Sequence, residues 1–169
     1  HVVYLDKDTL ITLSKQIFVV AGEPYNRSSD FFEENIRNYE YDCIVDLALE
    51  ALEYNNIALI NAPFTREIRD MGYIDKLKEK LKEKSATLVV IWVETSPEIV
   101  RQRIITRNSD RDTWKLENWD EYIGSCNFDI PQNLDDSNIK DDLLIFKNNN
   151  DEEFEDSMKD ILEILEKTI

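Results

Sequence analysis

One stretch limits the folds open to this chain more than any other: the run TLVVIWV at residues 87–93. After Thr87 the run contains no polar residue, so it lacks the alternation of a strand with one solvated face. Parallel strands that are covered on both faces have this composition. The run therefore predicts a parallel strand inside an α/β domain.

Other apolar runs and helical patterns alternate along the chain. Short buried strands are predicted at residues 2–5, 57–60 and 143–146. Helices are predicted at residues 10–20, 28–54, 67–84, from 96 onward, and 152–166. The polar residues 129–142 predict a loop. This alternation indicates an α/β fold with a mainly parallel sheet flanked by helices, and 169 residues suit a single domain, 1–169.

The longest helical pattern, residues 28–54, has a cap signal and an apolar face. Ser28 or Ser29 can cap it, and Glu33 is placed to help. Its predicted apolar positions recur at steps of three to five residues: Phe32, Ile36, Tyr39, Cys43, Leu47 and Leu52. A later helix begins with Ser96 as cap and Pro97 as the first helical residue.

The acidic composition restricts the partners of this chain. Its formal net charge is −16, so repulsion from phosphates disfavours a broad duplex nucleic-acid surface. One small anionic ligand in a basic cleft remains compatible with this charge. No apolar run approaches the roughly 20 residues of a membrane span. Cys43 and Cys126 lack metal-ligand spacing and a disulfide framework, so we expect packing thiols and a cytoplasmic location.

Arginine is concentrated in one segment. Four of the eight arginines lie within residues 101–111. Arg103, Arg107 and Arg111 follow one another at four-residue spacing, so on a helix they would share one face. Arginine is suited to multidentate recognition of phosphate or carboxylate. The alternative is that these arginines pair with nearby acids on a solvated face, and the pattern alone leaves both interpretations open.

Polar side chains follow two of the predicted strands. Asp6 and Asp8 come directly after the first strand, and Asn61 ends the second. Ligand crevices of open α/β sheets lie at the carboxyl ends of the strands. A carboxylate there can accept a proton from a hydroxyl group or hold Mg²⁺ through water. Alternatively, Asp8 caps the following helix, and Asn61 closes the turn before Pro63.

A few other side chains have two possible roles. Arg66 and Arg69 flank a helix start near the same sheet edge, where they could contact a substrate or pair with neighbouring acids. Trp114 and Trp119 are either hydrophobic anchors or platforms for stacking on a base. Histidine-centred catalysis has no candidate, because His1 is the one histidine and opens the chain.

Taken in order, these segments resemble the zeta-toxin/polynucleotide-kinase-like group of P-loop kinases, in particular the AAA-type ATP-binding proteins of bacteria. The more specific parts of the resemblance are APFTRE at residues 62–67 and RDTWKL at residues 111–116. It spans nearly all of residues 2–165. The resemblance implies a P-loop NTPase fold, ATP and Mg²⁺ as cofactors, and transfer of the γ-phosphate to a hydroxyl acceptor.

The resemblance also implies roles for individual residues. Asp8 matches the base that acts on the acceptor hydroxyl. Arg103, Arg107 and Arg111 match a lid, residues 101–122, over the transferring phosphate, where positioned arginines stabilise the charge. In this scheme Arg103 and Arg107 bind the nucleotide, and Arg107 and Arg111 assist catalysis. The substrate-binding residues that it implies are Asp6, Arg37, Asn61 and Arg66.

The chain departs from this family at the phosphate loop. Its three glycines are Gly22, Gly72 and Gly124, and none precedes Lys-Ser or Lys-Thr, so the motif G-x-x-x-x-G-K-[ST] is absent. On the resemblance, a strand–loop–helix unit of roughly 25–30 residues is expected before Val2 in the natural protein. Asn61 also stands where many relatives have an aspartate that organises magnesium.

The expected function is therefore an ATP-dependent phosphotransferase whose nucleotide site is incomplete in this chain. Its acceptor would be a small molecule or a nucleic-acid end that presents a hydroxyl group. The alternative is a catalytically inactive module without a P-loop, which binds or regulates protein partners. The sequence does not specify the oligomeric state.

Overall fold

The structure is a computed structural model that describes residues 1–129 and 143–168, without the side chains of Arg111 and Thr168. The chain divides into two compact units, His1–Thr87 and Leu88–Ile169. Each unit combines helices with a pair of parallel strands, which confirms the α/β class. The loop predicted at residues 129–142 lies outside the described residues, apart from Asp129.

The first unit contains β1 (Val2–Asp6), α1 (Ile11–Ala21), α2 (Asp30–Phe32), α3 (Asn38–Ala51), β2 (Ile57–Asn61) and α4 (Met71–Glu83). Short 3-10 turns at Lys7–Leu10 and Glu67–Arg69 precede α1 and α4. The strands β1 and β2 are parallel, with Val2 opposite Ile57. The predicted helix at residues 67–84 is interrupted at Asp70, whose side chain accepts a hydrogen bond from the Tyr73 N–H at 3.1 Å and so caps α4.

One π-helical turn, Glu33–Arg37, joins α2 to α3. Ser29 caps this helical region by accepting a hydrogen bond from the Phe32 N–H at 3.2 Å. A π turn holds about one residue more than an α turn. Beyond it, the residues that face the core therefore come about one position later in the sequence than in a continuous α-helix.

This shift corrects the predicted apolar face. Phe32 and Ile36, before the shift, are buried as expected and pack with Phe18. Beyond the turn, the predicted positions Tyr39, Cys43 and Leu47 are exposed. The buried positions there are Glu40, Tyr41, Ile44, Val45 and Ala48. The interpretation of Cys43 as a packing thiol is therefore wrong, whereas Cys126 is half-buried.

Among the described residues of the first unit, α3 packs against both strands of the β1–β2 pair and covers one face. Val2 and Tyr4, which alternate with the covered residues, are about three-fifths exposed, and Leu59 is exposed on β2. The prediction that these strands are buried is therefore correct for one face and wrong for the other.

The second unit contains β3 (Val90–Glu94), α5 (Pro97–Arg107), α6 (Thr113–Glu117), α7 (Trp119–Ser125), β4 (Leu143–Lys147) and α8 (Asp151–Thr168). The strands β3 and β4 are parallel, and α8 packs on β4 with the Phe146 and Phe154 rings 5.4 Å apart. The strand predicted at residues 87–93 begins three residues later than expected. Cover on both faces is also wrong for the described residues, because Val93 is exposed.

The start of α5 follows the sequence signal. The Ser96 hydroxyl accepts a hydrogen bond from the Ile99 N–H at 3.4 Å, and Pro97 is the first helical residue. The helix ends at Arg107 and is capped by Asn108, whose φ of 47° is in the left-handed region that asparagine tolerates. Across residues 1–129 and 143–168, no helix has the length and apolar character needed to cross a membrane.

Candidate functional site

The polar residues predicted at the first sheet edge do lie together. Asp6 and Asn61 are opposite each other at the ends of β1 and β2, and the Asn61 side-chain amide donates to Asp6 Oδ2 at 3.2 Å. The backbone N–H of Asp8 donates to Asp6 Oδ1 at 2.9 Å. The cap of the following turn is therefore Asp6, and the alternative that Asp8 is the cap is wrong.

Asp8 remains accessible at this edge. Its Oδ1 lies 3.8 Å from the ammonium group of Lys7, and its side chain is 42% exposed. A general base must be within reach of the hydroxyl whose proton it accepts, and an accessible carboxylate meets this requirement. The position of Asp8 is therefore compatible with the predicted role of a base, and that role stays a prediction.

A buried charge cluster, which the sequence did not reveal, lies next to this edge and includes Lys7, the residue between Asp6 and Asp8. Its centre is Glu40, which is 4% exposed. Arg27 donates to both carboxylate oxygens at 2.7 Å, Lys7 to Oε2 at 3.0 Å and the Ser14 hydroxyl to Oε1 at 2.5 Å. The cluster joins the turn after β1 to α1, α3 and the segment between them. The sequence did contain one signal, because Glu40 directly follows Tyr39, which was predicted to lie on the apolar face of this helix.

The charge state of this cluster follows from its contacts. Burial raises the pKa of Glu40, but the hydrogen bonds from Arg27, Ser14 and Lys7 outweigh it and lower the pKa to about 2. Burial lowers the pKa of Lys7, against the opposite effect of Glu40. Glu40 is therefore ionised at neutral pH.

The predicted substrate-binding arginines of the first unit are engaged with acids. Arg37 is buried and donates to Glu67 Oε1 at 2.7 Å and to Oε2 at 3.3 Å. Its guanidinium also lies 4.5 Å from the centre of the Tyr41 ring. Arg66 is exposed and donates to Glu33 at 2.6 Å. These contacts favour a structural role for Arg37 and leave Arg66 at the surface.

In the second unit, two of the predicted arginines line one cavity. The cavity measures about 450 Å³ and opens widely to solvent. Its lining residues come from α5 and the segment after β4: Ile99, Gln102, Arg103, Thr106, Arg107 and Asn149. None of these six side chains is acidic. In a chain with a net charge of −16, the charge of this lining is compatible with an anion.

Hydrogen bonds fix the wall of this cavity opposite α5. Asn149 accepts from the Ser96 N–H at 2.7 Å, and its own side-chain amide donates to Glu153 at 2.8 Å. Arg103 donates through Nη2 to the Asn148 side chain at 3.2 Å. The β3–α5 turn and the residues after β4 are therefore tied together where the cavity lies.

Arg107 is held by a buried acid. Its Nε and Nη2 donate to Asp112 Oδ2 at 2.9 and 2.6 Å, and Lys115 donates to Asp112 Oδ1 at 3.2 Å. Asp112 is 0% exposed, whereas the Arg107 side chain is 44% exposed. The contact with a nearby acid, which the sequence left as an alternative, is present, and Arg107 still reaches the cavity.

Arg111 does not continue the arginine row. The helix α5 ends at Arg107, and Arg111 lies in a 3-10 turn, Asp110–Asp112. One helical face shared by all three arginines is therefore wrong. The side chain of Arg111 lies outside the described residues, so its predicted catalytic role is not tested. Trp119 is half-buried between Tyr122, at 5.6 Å between ring centres, and Arg101, at 5.3 Å, which favours an anchoring role.

The described residues do not form a magnesium site by themselves. Among residues 1–129 and 143–168, no group of three or more His, Cys, Asp or Glu side chains is arranged to hold a metal ion. The oxygens of Asp6 already accept hydrogen bonds from Asp8 and Asn61. The phosphate groups of a nucleotide do fit the chemistry of the Arg103 and Arg107 side chains at the cavity.

Comparisons with known proteins add no relative: no protein-family model matches this chain, and no curated protein has a similar sequence. The resemblance to P-loop kinases therefore stays a prediction.

Proposed function

We propose that this chain carries the acceptor side and the lid of an ATP-dependent phosphotransferase of the P-loop NTPase fold. The observation that carries the proposal is the cavity of about 450 Å³ that Arg103 and Arg107 line without any acidic side chain. In so acidic a chain, two arginines at one opening are suited to the oxygens of a phosphate group. Their charge would be most useful where negative charge spreads during phosphoryl transfer.

In this proposal the first unit receives the acceptor. Asp8, at the carboxyl end of β1, accepts the proton of the acceptor hydroxyl. Asp6 and Asn61, joined by their hydrogen bond, set the backbone position from which Asp8 projects. Arg66 is exposed beside this edge and is available to an anionic group of the acceptor once it leaves Glu33. Arg37 supports the site through Glu67 and Tyr41.

The proposal requires a phosphate-binding loop that residues 1–169 do not contain. In the structure, Gly22 ends α1, Gly72 lies in α4 and Gly124 lies in α7, so none follows a strand. The first test is therefore the coding sequence upstream of His1. A glycine-rich loop that ends in Lys-Ser or Lys-Thr supports the proposal, and an upstream sequence without one refutes it.

The second test uses a protein that includes whatever coding sequence precedes His1. Mg-ATP should raise its melting temperature, and it should transfer phosphate to at least one member of a hydroxyl-acceptor panel. Arg107→Ala should lower turnover on the order of 10³-fold while the protein stays folded. Equal losses of turnover and stability would assign Arg107 a structural role only.

A second candidate function is a module without a P-loop that binds a protein partner. The observation that favours it is the exposed apolar face of the β1–β2 pair, with Val2, Tyr4 and Leu59. This candidate predicts no change in melting temperature with Mg-ATP, whatever coding sequence precedes His1. That single measurement separates the two functions.

A further inference from the structure

We propose that Asp112 is a positioning residue: it orients the Arg107 guanidinium toward an anionic phosphate group in the α5 cavity. This inference rests on the proposed function of that cavity. Asp112 is not itself among the residues that line the cavity. Its effect on a ligand would therefore pass through Arg107.

The hydrogen bonds explain how one carboxylate can orient the guanidinium. Arg107 uses Nε and Nη2, and both donate to the same oxygen, Oδ2 of Asp112. This contact along one edge fixes the guanidinium plane and leaves Nη1 unused by Asp112. Because the Arg107 side chain is 44% exposed, the opposite edge can meet a ligand.

The second oxygen of Asp112 is also occupied. Lys115 donates to Oδ1 at 3.2 Å, and its ammonium group lies 5.3 Å from the centre of the Tyr122 ring. Asp112 is therefore anchored from α6, while Arg107 belongs to α5. The arginine cannot turn away from the cavity without breaking contacts to an acid that is fully buried.

The charges of this trio point toward an anion. One carboxylate and two cations leave a surplus of positive charge, and Arg107 exposes part of it at the cavity. Burying a carboxylate is costly, and a buried ion pair adds little stability compared with apolar packing. The exposed part of the Arg107 side chain can present this charge to a ligand in the cavity.

Removing the Asp112 charge separates a positioning role from a role in charge balance, because the two roles predict opposite changes in phosphate affinity. If Asp112 only neutralised Arg107, Asp112→Asn would make the cavity more positive and tighten phosphate binding. If Asp112 orients Arg107, the same substitution releases the guanidinium and weakens phosphate binding. The direction of the change in affinity therefore decides between them.

The experiment measures the affinity of the full chain for inorganic phosphate by calorimetry at low ionic strength. Arg107→Ala should weaken binding about tenfold or more. Asp112→Asn should weaken it several-fold, and the double variant should bind no more weakly than Arg107→Ala alone, because Asp112 acts through Arg107. Asp112→Glu keeps the charge but displaces the carboxylate, so it should also weaken binding.

Asp110→Asn is the matched control, since it removes one negative charge from an exposed acid of the same turn. It should not weaken phosphate binding, because Asp110 does not hold Arg107. Circular dichroism identifies the variants that fold, and Lys115→Arg, which keeps the positive charge but alters the anchor of Asp112, replaces either Asp112 variant that does not. This substitute should also weaken binding.

Two results would overturn the inference in different ways. If Arg107→Ala weakens binding but Asp112→Asn leaves it unchanged or tightens it, the positioning role is wrong and the anion cavity stands. If the unmodified chain binds no phosphate, or Arg107→Ala has no effect, the cavity is not an anion site. The second result also removes the observation that carries the proposed function.

Discussion

Two buried acids, Glu40 in the first unit and Asp112 in the second, each bind one arginine and one lysine, yet their surroundings differ. The side chains of Arg27 and Lys7 around Glu40 are 14% and 6% exposed. Those of Arg107 and Lys115 around Asp112 are 44% and 28% exposed. The Glu40 cluster is thus closed to solvent, whereas the Asp112 cluster presents its cations at the surface.

The geometry of the arginine follows the same division. Arg27 places its two terminal nitrogens on the two oxygens of Glu40, and its guanidinium also lies 4.4 Å from the centre of the Phe32 ring. It is committed to the interior on two sides. Arg107 uses one edge on a single oxygen of Asp112. The same set of charges can therefore serve the fold in one place and be available to a ligand in another.

The largest effect is expected for Glu40→Gln. It leaves Arg27 buried without its carboxylate and Lys7 with Asp8 alone, at 3.8 Å, so we expect a loss of about 3–5 kcal/mol in the free energy of unfolding. Urea denaturation at pH 7 measures the loss. Glu34→Gln, at an exposed acid of the π turn, is the control and should change stability little. A loss of less than about 1 kcal/mol for Glu40→Gln would contradict the structural role of this cluster.

The pH dependence of stability should show the same cluster. The pKa of Glu40 falls from its ordinary value of 4.5 to about 2 in the folded chain. Its contribution is therefore complete above pH 4.5 and is lost as the pH falls toward 2, and it amounts to about 3 kcal/mol. As the pH is lowered from 6 to 2.5, the urea midpoints of the unmodified chain and of Glu40→Gln should converge. Parallel curves would rule out this linkage.

Asp112→Asn should lower the free energy of unfolding by about 2 kcal/mol. This loss is smaller than the one expected for Glu40→Gln. The reason is that Arg107 and Lys115 can turn toward water when the carboxylate charge is removed, as their exposure allows. Asp110→Asn, at an exposed acid of the same turn, is the control for denaturation measurements. Equal losses for Asp112→Asn and Glu40→Gln would remove the distinction between the closed and the open cluster.

The smallest effect is expected for Arg66→Ala. Its ion pair with Glu33 is exposed on both sides, so water and salt screen it. The free energy of unfolding should change by less than about 0.5 kcal/mol. Thermal denaturation at low and high salt measures this change. A loss comparable to that of Asp112→Asn would show that exposure does not determine the contribution of an ion pair here.

The end of β1 and the start of α5 could be predicted because their signals are local. The strand β1 ends at Asp6, directly after the apolar run. The helix α5 begins at Pro97, after the cap Ser96, as expected. The edge formed by Asp6 and Asn61 followed from the rule for parallel strands. In each case, neighbouring residues determine the feature, and the sequence displays them directly.

Other features depend on contacts between distant residues and could not be predicted. The partner of Glu40 at position 7 is 33 residues away, so spacing within α3 gave no indication of it. The four-residue spacing of the arginines suggested one helix, but Asn108 ends α5 before Arg111. The sequence also does not show which nearby acid holds Arg107. That depends on the burial of Asp112, which is a feature of the three-dimensional structure.

The π turn at Glu33–Arg37 gives the long helix a place where one residue can be lost without a change of phase. The turn holds about one residue more than an α turn, so a one-residue deletion that restored α-helical geometry would leave Glu40 facing Lys7. A one-residue insertion would have no second π turn to absorb it, and it would rotate everything beyond it by roughly 100°. The Glu40 cluster is therefore sensitive to the length of this segment in one direction only.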